Sequence, residues 1–302
     1  MKFKSYSFVF AFVLLFVIFS CQMKSDTESP SITAITVDNA ISADGVTISY
    51  QVQGEGKPAL IFVHGWCCDR SYWDAQLPHF AKKYKVVAID LAGHGESGLE
   101  RKDWTIKAYG EDVAAVVNKL NFKQVILIGH SMGGYVILEA ARIIPEKVIG
   151  LVGADTLNDF EFKFTQEQID EWFKPFHANF AEATKNLVRT MFTPNSDPAL
   201  MEKIAADMSS APPEVGLGAF EGMISFHNND YLKVVQEVQA PLTCINSDMD
   251  PTNVEVNRRY MPSFKAKIMS GIGHFLMMED PETFNRLLEE TLQEFVQTAK
   301  SK

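Results

Sequence analysis

Paired cysteines, metal-binding clusters and concentrated positive charge are all missing from these 302 residues. Lys and Arg number 28 against 38 Asp and Glu, the formal charge is −10, and the basic residues never gather into a block. Attraction to nucleic acid or to an anionic membrane surface needs such a block, so both are excluded as electrostatic partners. Four cysteines with no regular spacing make no disulfide framework, and adjacent Cys67 and Cys68 are expected, like Cys244, to be free thiols. No CxxC pair or histidine-rich tract points to a metal. Inside the main body of the chain there is no internal repeat and no low-complexity tract. The apolar run Phe8–Phe19 is shorter than the roughly 20 residues that a membrane-spanning helix requires.

What is present begins with that run. Lys2 and Lys4 precede it, Ile18-Phe19-Ser20-Cys21 ends it, and a polar stretch follows through Pro30. A basic start, a short apolar run and a small residue at its end are the marks of a signal peptide, here residues 1–20. The end of the run resembles a bacterial lipoprotein signal, with an aliphatic residue three before the cysteine and a small one immediately before it. The resemblance implies lipidation at Cys21, a tether over residues 21–40, export to the cell envelope and a lipid anchor in a membrane. Phe19 is bulkier than that pattern usually has, and ordinary secretion is the alternative.

From about Ile41 short apolar runs alternate with amphipathic segments. Val46–Val52, Ala59–Val63, Val86–Ile89, Val125–Ile128, Val148–Val152 and Leu242–Ile245 read as strands, several of the continuously apolar kind buried in parallel sheets. Thr105–Leu120, Met132–Ile144 and Pro281–Thr298 read as helices, the last with Asp280 as N-cap and Pro281 at its first position. Such alternation predicts an α/β fold with a mostly parallel sheet flanked by helices. Roughly eighty residues between Asp155 and Pro241 break the rhythm: they read as helical, rich in phenylalanine, and divided by Pro194, Pro198, Pro212 and Pro213. Too apolar for a loose loop, this insertion is expected to be a helical cap over the strand ends, where ligands of open α/β sheets bind. The expected layout is 41–156 for the first part of the core, 157–235 for the cap and 236–302 for the rest of the core. Most cap aromatics should form its own small core and a minority should line a pocket.

Gly129-His130-Ser131-Met132-Gly133 follows an apolar run and opens a helix. This is the G-x-S-x-G elbow in its strand–turn–helix context, which presents the serine hydroxyl at the sheet end in strained geometry. A serine hydroxyl is a poor nucleophile at neutral pH, so it needs a base, and the base needs an acid to orient it. Of seven histidines, His64, His94, His130 and His274 sit beside glycines in loops. Asp250, Asp248 and Asp155 each follow an apolar run and are the candidate acids.

These segments, with Asp90-Leu91-Ala92-Gly93-His94-Gly95-Glu96-Ser97 and Gly273-His274-Phe275, make residues 41–298 resemble the α/β-hydrolases of the esterase and haloperoxidase-like type. The resemblance implies Ser131 as nucleophile, His274 as base and Asp250 as acid, in that chain order, with Asp248 or Asp155 as alternatives. It also implies an oxyanion site from the backbone N–H groups of Trp66 and Met132. His64 is expected to brace its loop, and the Trp66 indole either walls the acyl pocket or packs against the cap. Serine at 131 argues against the dehalogenases and epoxide hydrolases of the fold, which have aspartate there. His64-Gly65-Trp66, in place of a His-Gly-Gly-Pro-Gly run, argues against proline iminopeptidases. The function implied is hydrolysis of a carboxylic ester of a small, largely apolar substrate, with no cofactor and no metal. Lactone, thioester or carbon–carbon bond hydrolysis and perhydrolysis are alternatives on the same residues, and a hydrolase-fold ligand receptor is the non-enzyme alternative. Oligomeric state and natural substrate leave no mark in the sequence.

Overall fold

The β-branched and aliphatic runs form an eight-stranded sheet in the order β1-β2-β4-β3-β5-β6-β7-β8. The computed structural model describes residues 34–300 together with Met1; the rest of the expected signal peptide and Cys21 lie outside the described residues. β1 (Thr36–Ile41), β2 (Thr47–Gln53) and β4 (Val86–Ile89) pair antiparallel. From β4 onward, β3 (Ala59–Val63), β5 (Val125–His130), β6 (Val148–Ala154), β7 (Leu242–Ser247) and β8 (Lys265–Met269) pair in parallel. Every residue of β3, β4 and β5 is buried, as continuous apolar runs in the middle of a two-sided sheet demand.

Two strands are additions to the sequence reading, and one corrects it. Residues 36–40, assigned above to the tether, belong to β1. Only Ala40 of this strand is buried, so no apolar alternation marks it, and the backbone ladder to β2 holds it in place. β8 is similarly inconspicuous, because only Met269 among its residues is buried.

In the core, α1 (Leu77–Phe80), α2 (Ile106–Lys119) and α3 (Met132–Ile143) follow strands, and α9 (Val254–Tyr260), α10 (Leu276–Glu279) and α11 (Pro281–Lys300) complete the second part. Thr105 caps α2 by accepting from the Ala108 N–H, and Asp280 accepts from the Thr283 N–H at the start of α11. Between β6 and β7 lie the cap helices α4 (Gln166–Ala178), α5 (Phe180–Thr190), α6 (Pro198–Met208), α7 (Pro213–Asn229) and α8 (Tyr231–Glu237). Pro198 and Pro213 open α6 and α7, where the missing N–H costs nothing. No helix among the described residues is long and apolar enough to cross a membrane. Cys67, Cys68 and Cys244 are free and buried.

Candidate active site

Ser131 occupies the turn between β5 and α3 at φ +52° and ψ −120°, a conformation that costs a non-glycine residue strain. Its N–H donates to the Ala154 carbonyl at the end of β6, 3.0 Å away. A side chain at Gly133 would bring a Cβ to 2.6 Å from the Val63 carbonyl oxygen and 2.7 Å from that of His64. Only glycine lets the first turn of α3 lie against the loop that follows β3. At Gly65 a Cβ would stand 3.2 Å from the Ser131 Cβ, so His64-Gly65-Trp66 runs directly beside the serine. Met132 is the first residue of α3, where a helix leaves its N–H groups without intrahelical partners.

His274, in the loop after β8, places Nδ1 2.6 Å from Oδ2 of Asp155. A carboxylate can only accept, so Nδ1 carries the proton and Nε2 is the basic nitrogen. Asp155 is the first residue beyond β6 and adopts φ +46°. Burial raises its pKa, but the His274 hydrogen bond and charge, with donation from the Ser247 N–H at 2.6 Å, hold it below the usual carboxylate range. The backbone of His274 is fixed from two sides. Its N–H donates to the Met191 carbonyl of the cap at 2.8 Å, and its carbonyl accepts from Nε2 of His130 at 3.0 Å. Burial, then the neighbouring His274, pushes His130 down to about 3, which keeps it neutral.

Asp250, the expected acid, does not meet His274: the carboxylate paired with the ring is Asp155, one of the two alternatives. β7 ends at Ser247, and residues 248–250 are exposed. Asp250 meets this region through its backbone, its carbonyl accepting from Asn158 Nδ2 at 3.1 Å. Asp248 accepts from the Gly271 N–H at 2.8 Å and so steadies the loop leading to His274. The useful signal lay in the approach: the β6 run leads straight into Asp155, whereas Asp250 stands beyond Ser247, Asp248 and Met249.

His64 braces its loop, as expected of it. Nε2 accepts from the Leu91 N–H at 3.0 Å and Nδ1 donates to the Gly65 carbonyl at 2.7 Å; burial lowers its pKa to about 4. The Asp90–Ser97 loop is likewise structural: the Asp90 carboxylate accepts from the N–H groups of Arg70 and Glu96. Trp66 does both things that were held open. Its indole N–H donates to the Gly216 carbonyl of α7 at 2.7 Å, its ring meets Phe176, Phe180 and Phe220, and it lines the cavity at Ser131.

That cavity measures about 350 Å³ and takes both Ser131 and His274 into its wall. Phe164, Trp172, Phe176 and Phe220 supply cap aromatics; Phe160, Phe173, Phe180, Phe192 and Phe226 are buried elsewhere, while Phe162 is exposed. Leu187, Met191, Met208 and Met223 also line it, and no spacing in the sequence singled them out. Glu171 is the one carboxylate in the wall, and no lysine or arginine stands there among the described residues. The described residues hold no group of acidic, histidine or cysteine side chains able to bind a metal ion.

Residues 58–281 match the family model described as alpha/beta hydrolase fold. A 3-oxoadipate enol-lactonase from Acinetobacter baylyi is 23% identical over 267 residues, covering 85% of this chain and 97% of that protein. A karrikin insensitive 2 receptor from Petunia hybrida is 22% identical over 247 residues, covering 77% of this chain and 90% of that protein. Among solved structures, a thermophilic esterase from Thermogutta terrifontis superposes with a TM-score of 0.74 at 23% identity, covering 86% of this chain and 99% of the other. With the family model spanning most of the sheet, the cap and the loops that carry Ser131, Asp155 and His274, the chain belongs to the α/β-hydrolase fold family.

Proposed function

We propose that this protein is a serine hydrolase that cleaves carboxylic esters of small, uncharged and largely apolar substrates. One observation carries the reading: His274, paired with Asp155 at 2.6 Å, shares the wall of an apolar cavity with Ser131 on its strained turn. Ser131 attacks the ester carbonyl while Nε2 of His274 takes the hydroxyl proton, and Asp155 stabilises the imidazolium that results. The tetrahedral oxygen gathers charge that the N–H groups of Trp66 and Met132, flanking the serine, are suited to receive. His274 then returns the proton to the leaving alcohol, and water, deprotonated by the same nitrogen, releases the acid from Ser131. Phe164, Trp172, Phe176 and Phe220 favour an apolar acyl or aryl group, and the absence of a wall cation among the described residues disfavours an anionic one.

The test is hydrolysis of p-nitrophenyl esters, acetate through decanoate, by the wild type and Ser131→Ala. A loss on the order of a thousandfold or more in the variant is expected, and equal rates in both would sink the reading. Lactones and thioesters belong in the same panel, since a lactonase is among the similar proteins. Similarity to a receptor keeps a second reading in play, and a ligand that binds with no turnover would favour it. Export with lipidation at Cys21 is part of the proposal, and Cys21→Ala releasing the protein from membranes is its test.

A further inference from the structure

Asn246 is the penultimate residue of β7, fully buried, and its side chain reaches across to the residue that follows the acid. Its Oδ1 accepts from the Thr156 N–H at 3.2 Å, and its Nδ2 donates to the Thr156 carbonyl at 3.1 Å. The same Nδ2 lies 2.9 Å from Thr252 Oγ1 and 3.3 Å from Asn158 Oδ1. An amide so placed copies a neighbouring strand: it supplies one acceptor and one donor to a backbone that has already left the sheet. The need is plain from the backbone, because Asp155 and Leu157 on either side of Thr156 both have positive φ. Where regular pairing stops, those peptide groups would otherwise be buried without partners.

Thr156 connects this clamp to the nucleophile. Its hydroxyl donates to the Ser131 carbonyl at 2.8 Å, while its Cβ branch fills the space that Gly134 leaves open. Ser131, Thr156 and Asn246 thus form one chain of hydrogen bonds beneath the acid, apart from the substrate cavity. We propose that Asn246 is a positioning residue for acyl transfer, acting through Thr156 to fix both the Asp155 carboxylate and the Ser131 turn. The proposal rests on the serine-hydrolase reading and adds a residue that touches neither substrate nor His274. Asn257 offers an internal contrast. It is also fully buried and also clamps this connection, with Nδ2 on the Leu157 and Asn158 carbonyls and Oδ1 on the Phe160 N–H, but beyond the acid.

The experiment compares Asn246→Ala, Thr156→Val, Thr156→Ser and Asn257→Ala with the wild type on p-nitrophenyl butyrate, with rates taken per folded protein. Misplacing the acid should lower kcat in Asn246→Ala by on the order of tenfold to a hundredfold, with KM within about twofold because no cavity wall changes. Thr156→Val should fall in the same direction, and Thr156→Ser, which keeps the hydroxyl, should restore the rate. Asn257→Ala should melt earlier but keep kcat. Should Asn246→Ala not fold, the Thr156 pair carries the test alone. Wild-type kcat in Asn246→Ala, equal losses in Thr156→Val and Thr156→Ser, or an equal loss in Asn257→Ala would overturn the proposal. Ser131→Ala assayed alongside separates the two ideas: activity retained there refutes the serine mechanism itself.

Discussion

Around Ser131 the strand-end loops of the core are held by hydrogen bonds and backbone contact, whereas the cap across the cavity is held mainly by aromatic faces. In the core, His64, His130, Asp90 and Asn246 each make at least one side-chain hydrogen bond to a named backbone group. In the cap, Trp172 stacks on Phe220 at 6.2 Å, Phe173 meets Phe220 at 5.0 Å, and Phe176 meets Phe180 at 6.1 Å. Hydrogen bonds weaken steeply with angle, while apolar packing accepts substitutes of similar volume. The core loops therefore suit a fixed reaction geometry, and the cap suits a substrate preference that can change. Two hydrogen bonds join the regions at the site itself, from the Trp66 indole to Gly216 and from the His274 N–H to Met191.

The largest effect expected from breaking this arrangement is at the acid. Asp155→Asn keeps the shape but lets the amide offer His274 a donor, stabilising the wrong tautomer, and kcat should fall on the order of a thousandfold or more. Asp250→Asn, at an exposed side chain, should leave kcat within about twofold. A large loss at 250 with little at 155 would reverse the assignment.

Next comes the backbone contact of the elbow. Gly133→Ala forces a Cβ against the carbonyls of Val63, the last residue of β3, and His64. The expected cost is about 1–3 kcal/mol, read as a lower urea midpoint at constant slope. Leu187→Met in the cavity wall, a volume-conserving swap, should cost under about 1.5 kcal/mol. Equal midpoint shifts would erase the contrast between core and cap.

Much of this was legible in advance because the core announces itself by periodicity. β3 and β4 fall on the residues that their apolar runs predict, and α2, α3 and α11 lie within two residues of the expected ends. What escaped was whatever depends on position in space. β1 and β8 are edge strands whose exposed side chains carry no pattern. The carboxylate partner of His274 was misplaced because both β6 and β7 lead into aspartate-bearing loops, and only geometry shows which carboxylate the ring meets. Met191, Met208 and Met223 gave no warning for a similar reason: ordinary helical residues become cavity wall only when the helices assemble.

The buried histidines of the core make a separate, pH-dependent prediction. Burial lowers His64 to about 4, and His94 and His130 to about 3, against an ordinary value of 6.5. Between those limits the unfolded chain takes up protons that the folded chain refuses, so stability is full above pH 6.5 and falls as pH falls. Each histidine contributes up to about 1.4 kcal/mol per pH unit. Thermal midpoints at pH 7, 6 and 5 should drop progressively, and His94→Gln should flatten the trend. An unchanged slope in that variant would mean that His94 does not stay neutral in the folded protein.

The smallest effect belongs to the cap. Glu171 and Trp172 share α4 and the cavity wall, with Glu171 exposed at its position. An exposed carboxylate acts on a substrate charge through water, so its repulsion of an anionic ester is weak and screened by salt. Glu171→Gln should raise kcat/KM for p-nitrophenyl hemisuccinate by roughly threefold to fivefold at low salt, with the gain shrinking as salt is added. For the neutral butyrate ester, where no charge meets charge, the rate should not move. If both esters respond alike, Glu171 acts through packing, and the cap selects by shape alone. If only the anionic ester responds, the carboxylate sets the charge preference of a cavity whose wall is apolar apart from it and the His130, Ser131 and His274 side, leaving the reaction geometry of the core untouched.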